Sequence, residues 1–103
     1  MDKKRVLNIA QKYIRLVSEK FEIEKSFLFG SFSKRNATEE SDIDIALILP
    51  AVSDSFKIQL ELMRIRRKVD LRIEPHVFSV DDFNSNNPFA FEIMKTGVKI
   101  IAN

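Results

Sequence analysis

An α/β sandwich, a small mixed β-sheet packed with helices, is the fold this sequence predicts, and three observations predict it. Apolar residues at helical spacing open the chain. Two short apolar runs follow, the second with period-two alternation, and a further helical stretch separates that second run from a third alternating one. With 103 residues the sequence predicts one domain over 1–103, enough for a single core but not for a core plus an independent substrate-binding domain.

From about Lys3 to Phe21, the residues Val6, Ala10, Tyr13, Ile14, Val17 and Phe21 fall on one stripe, which predicts an amphipathic helix covering the sheet. Phe27-Leu28-Phe29, stopped by Gly30, reads as a buried strand, and Ile43 to Leu49 as a second that Pro50 ends. Ser53 or Asp54 suits the cap of a helix running to about Arg67, with Phe56, Leu60 and Met63 on one face and Ile58, Leu62 and Ile65 beside them, a wide apolar face expected to pack in the core. Val69, Leu71 and Ile73 alternate with Asp70, Arg72 and Glu74, which predicts a third strand with a charged face, His76 following it just past Pro75. Ser79-Val80-Asp81-Asp82 has the pattern of a capped turn. Asn87-Pro88 opens a helix that Gly97 closes, and Val98 to Ile101 reads as a last short strand or extended tail.

Two motifs carry chemistry. In the second strand Ile43, Ile45, Leu47 and Leu49 take alternate positions, so Asp42 and Asp44 share the opposite face. Two neighbouring carboxylates raise the pKa of one of them unless a counter-charge is present, and a divalent cation with oxygen ligands supplies it, magnesium being the obvious candidate. Upstream, Gly30 allows a tight turn out of the first strand, and the free N–H groups of a following helix start, with the Ser31 hydroxyl, suit an anion. No G-x-x-x-x-G-K-[ST] motif occurs, which argues against a P-loop enzyme.

Together these residues form the pattern G-S-x10-D-x-D, which resembles the polymerase-β-like nucleotidyltransferase superfamily, and in particular its minimal single-domain prokaryotic members. The resemblance implies that fold and covers nearly the whole chain. It implies that Gly30 and Ser31 hold a nucleotide triphosphate, and that Asp42, Asp44 and a third acidic residue on a later strand hold two magnesium ions. Asp70, in Val69-Asp70-Leu71-Arg72-Ile73, matches the third position, while Glu74 on the same predicted strand face is able to take its place or to pair with Arg72. Many members carry a second glycine near the place of Arg35. The segment Phe32 to Ala37 has none, which restricts the loop to ordinary backbone angles unless Asn36 takes the left-handed conformation. Lys34 and Arg35 suit either phosphate contact or plain solvation. Ser41 suits local hydrogen bonding at the strand entry, His76 a structural or surface role, and Phe78, Phe83, Phe89 and Phe91 the core, with stacking on a base as the alternative for an exposed ring.

Composition narrows the classes. The net charge is +2 and spread out, so no nucleic-acid footprint is demanded; Lys3-Lys4-Arg5 and Arg64 to Lys68 read as a solvated terminus and a solvated helix end. The absence of cysteine excludes disulfides and thiolate metal sites. No stretch approaches the roughly 20 apolar residues of a membrane helix, so a soluble, cytoplasmic protein is expected. The resemblance implies a magnesium-dependent nucleotidyltransferase moving AMP from ATP onto a hydroxyl, with a helical HEPN-type toxin as partner and acceptor and this chain as antitoxin. The alternative is a non-catalytic module that neutralises a partner by contact.

Overall fold

A mixed sheet in the order β3-β2-β1-β4 forms the centre of the chain. The computed structural model describes residues 3–32, 38 and 40–101; Lys34, Arg35 and Asn36, on which the loop argument turns, lie outside the described residues. The strands are β1 (Lys25–Phe29), β2 (Ile43–Leu49), β3 (Ile73–Ser79) and β4 (Val98–Lys99), and the helices α1 (Lys3–Ser18), α2 (Ser55–Arg66) and α3 (Pro88–Thr96). β2 runs antiparallel to β1 and parallel to β3, and β4 is antiparallel to β1. The α/β class and mixed sheet expected from the sequence are therefore observed.

Two cores cover the two faces. On one, Val6, Ala10, Tyr13, Ile14 and Val17 of α1 and Leu62 and Ile65 of α2 pack on Leu28, Ile43, Ile45, Leu47 and Ile73. The Tyr13 hydroxyl donates to the Leu62 carbonyl at 2.8 Å, tying α1 to α2, and its burial pushes the phenol pKa up. On the other face Phe29, Ala46, Ile48 and Ile93 of α3 are packed against by Phe27, Phe78 and Phe83. β2 is thus buried on both sides beyond Asp44, as befits a central strand.

The caps explain the helix limits. Asp54 accepts the Lys57 N–H at the start of α2; Asn87 accepts those of Phe89 and Ala90 at the start of α3, and Pro88 at its first position has no N–H to satisfy. The Ser79 hydroxyl accepts the Asp82 N–H, as the capped-turn pattern predicts.

Three expectations change. The third strand begins at Ile73, not Val69, because the chain after α2 keeps turning: the N–H groups of Lys68, Val69 and Asp70 donate to Ile65 and Arg66 carbonyls. It then runs on through Pro75 and His76. Pro75 lacks an N–H and is tolerated because β3 lies at the sheet edge. The apolar face of α2 is only partly used, Phe56 being 65% and Leu60 48% exposed. Phe89 and Phe91 are likewise about half exposed rather than core residues.

Candidate active site

The end of the sheet where β1 finishes and β2 and β3 begin brings the motif residues together. Phe29 pairs with Asp44 across β1 and β2, and Asp44 pairs with Glu74 across β2 and β3. Partners in register share a face, so Asp44 and Glu74 leave neighbouring strands on the same side of the sheet. Asp42 lies exposed immediately before β2. Ser41 braces that entry as expected: its hydroxyl accepts the Thr38 N–H at 2.9 Å and its own N–H donates to the Thr38 carbonyl.

Gly30 is held at φ +76°, in the left-handed region, and opens the 3-10 turn Gly30–Phe32. A Cβ at this position would lie 2.4 Å from Oδ2 of Asp44. The bare glycine therefore makes room for the carboxylate as well as for the turn. Ser31 follows directly in the 3-10 turn.

Asp70 does not join them. It sits in the turn between α2 and β3, where its Oδ1 accepts the backbone N–H and Nε–H of Arg72 and its Oδ2 accepts from Nη2 at 2.7 Å. The Arg72 guanidinium holds its carboxyl below the usual aspartate range. Both of its oxygens hold Arg72 in a turn, and the strand position that the sequence reading gave it belongs to Glu74.

His76 is the residue the sequence reading undervalued. Two places beyond Glu74 on β3, it shares the face of Asp44, and its Nε2 lies 3.1 Å from Asp44 Oδ1. An ionised carboxylate only accepts, so the imidazole donates. The signal was the period-two spacing from Glu74 to His76, concealed by the proline between them.

In residue type the site fits a hard cation: Asp42, Asp44 and Glu74 offer only carboxylate oxygens, the donors that Mg²⁺ takes. Among the described residues no three acidic, imidazole or thiol side chains are already gathered around one point. Glu74 leans away, its Oε2 3.6 Å from Arg66 Nη1, while Asp44 is engaged by His76. Glu74 is 42% exposed in its side chain, and its contact with Arg66 is long, so among the described residues little holds it away from Asp44.

The profile of the family described as Polymerase beta, Nucleotidyltransferase matches residues 11–103. The chain belongs to this nucleotidyltransferase family. It is 32% identical over 65 residues to the Methanocaldococcus jannaschii protein named "Putative protein adenylyltransferase MJ1379", a match spanning 62% of this chain and 65% of that relative's length. Among solved structures it is similar to one named "putative nucleotidyltransferase" from Sulfolobus solfataricus, with TM-score 0.67 and 18% identity over 94% of this chain and 80% of the other. It is also similar to a toxin-antitoxin structure with AMP-PNP, with TM-score 0.67 and 19% identity over 94% of this chain and 73% of that one. At such identities the structural likenesses show the nucleotidyltransferase fold.

Proposed function

We propose that this nucleotidyltransferase moves AMP from ATP onto a hydroxyl of a partner protein, with magnesium held by Asp42, Asp44 and Glu74, and that it thereby acts as the antitoxin to a HEPN-type toxin. The observation that carries the reading is the register of Asp44 with Glu74 beside the left-handed Gly30. The relative named as a protein adenylyltransferase and the toxin-antitoxin neighbour with AMP-PNP support the nucleotide and the partner. Asp70, the third ligand implied by the sequence resemblance, gives way to Glu74 in this reading because Arg72 already engages both of its oxygens.

The chemistry is an in-line displacement. The acceptor oxygen bonds to the α-phosphorus, the bond from that phosphorus to the oxygen bridging to the β-phosphate breaks, and pyrophosphate departs with the electron pair while the hydroxyl proton passes to water. Magnesium, when bound, neutralises the developing charge on the phosphate oxygens. In this reading Gly30 lets the backbone come close to the triphosphate and Ser31 adds a hydroxyl donor, while the carboxylates define where the acceptor oxygen approaches.

Intact-mass measurement of the partner after incubation with this chain, ATP and magnesium tests the proposal. The expected result is one added adenylyl unit per acceptor with the wild type and none with Asp44→Asn. If the double variant Asp42→Asn, Asp44→Asn neutralises the partner as well as the wild type and the partner's mass never changes, neutralisation is by contact alone and the enzyme reading is wrong. A parallel comparison assigns the third carboxylate: Glu74→Gln should cost more activity than the about 10–100-fold typical of outer-shell changes, with Asp70→Asn nearly silent.

A further inference from the structure

Both oxygens of Asp44 are located by neighbours, and one of these, His76, has no role in the proposed function. Oδ1 is 3.1 Å from His76 Nε2, and Oδ2 lies in the space that a Cβ on residue 30 would fill. The imidazole is itself confined. Phe29 meets it at 63° with ring centroids 5.0 Å apart, and Phe89 at 84° and 5.8 Å. The two phenyl rings also pack on each other at 5.6 Å, and Phe89 contacts Phe78 at the same distance, so the clamp extends into the second core. Edge-to-face arrangements of this kind are favourable for aromatic pairs and fix the plane of the enclosed ring. Phe89, 46% exposed, would be poorly placed as a core residue but is well placed as the outer wall of this clamp.

From this arrangement we infer that His76 is a positioning residue for Asp44: it donates from Nε2 to Oδ1 and thereby presents the rest of that carboxylate to the incoming cation. A carboxylate at a strand end otherwise samples several rotamers, and freezing them before binding removes an entropic cost from each binding event. Hydrogen bonds from neighbouring groups to ligating carboxylates orient them in this way, and their loss typically weakens metal affinity about 10–100-fold. The core alone does not require an imidazole here, since a phenyl ring of similar size would fill the space between Phe29 and Phe89. What a phenyl ring cannot do is donate to Asp44. The inference rests on the carboxylate reading of the proposed site.

Titration of the protein with Mn²⁺, followed by electron paramagnetic resonance of the free ion, tests it without any turnover. His76→Phe keeps the ring and its packing but removes the donor, and His76→Gln restores an amide N–H near the place of Nε2. The expected result is an affinity about tenfold weaker in His76→Phe and largely recovered in His76→Gln, with both variants melting cooperatively. Equal or tighter Mn²⁺ binding by a folded His76→Phe would show that the imidazole is idle or competes with the cation, and would overturn the inference while leaving the carboxylate site standing. Absence of Mn²⁺ binding in the folded wild type would overturn both together.

Discussion

Gly30 satisfies two constraints that most positions meet singly. Its φ of +76° costs an ordinary L-residue about 1–2 kcal/mol, and its missing Cβ leaves the volume in which Asp44 Oδ2 rests. Gly30→Ala should therefore lower stability by about 1–2 kcal/mol, a shift of several degrees in melting temperature for a chain of this size. It should also displace the Asp44 carboxylate, so Mn²⁺ affinity falls further than in a control variant of equal instability elsewhere, such as Asp54→Ala. Calorimetric melting together with Mn²⁺ titration separates the two effects, and a Gly30→Ala protein that is destabilised yet binds Mn²⁺ normally would show that Asp44 finds its place without the glycine. The turn at Gly30 and the place of Asp44 in the second strand were legible in the sequence because each depends on short-range spacing. His76 was not, since its contact depends on the register of two strands that lie 32 residues apart.

The elements show the same division. The first helix and the second strand were legible because each is one uninterrupted pattern, and the helix starts because Asp54 and Asn87 are strong caps. The third strand was displaced in the reading because Val69, Leu71 and Ile73 alternate by coincidence in a segment where α2 is still unwinding through turns. Pro75 then suggested an end where an edge strand tolerates it. The turn itself rests on Asp70. Its folded pKa is depressed, first by the Arg72 side-chain hydrogen bond. A depressed carboxylate contributes stability that is present above its unfolded pKa of about 3.9 and is lost as pH falls through the lower folded value. Acidification below about pH 4 should thus destabilise the wild type more steeply than Asp70→Asn, which has no proton to take up there. Melting temperature against pH for the two proteins checks this; parallel curves would mean that the Arg72 contact contributes nothing to the native state.

At the scale of the whole molecule, the described residues build one sheet with helices on both faces, and no helix among them is long and apolar enough to cross a membrane. A triphosphate placed at Gly30 and Ser31, as proposed, would meet an unfavourable local field. The net charge of +2 is distributed over the surface, and charges more than about 8 Å away are screened at physiological ionic strength, so nearby groups set what a triphosphate would experience at this end of the sheet, where the three carboxylates of Asp42, Asp44 and Glu74 outnumber Arg66 beside Glu74. Without a cation these groups repel ATP; with one, ligand and site share a counter-charge. Isothermal calorimetry should therefore find ATP affinity at least about tenfold higher with magnesium than with excess chelator, the difference that only about 1.4 kcal/mol of relieved repulsion would produce. Asp42→Asn, Asp44→Asn should shrink that difference by weakening the magnesium-supported binding and easing the repulsion without metal. If wild-type ATP affinity is the same in magnesium and in chelator, the triphosphate does not sit against these carboxylates, and the placement of the nucleotide at Gly30 and Ser31 is wrong.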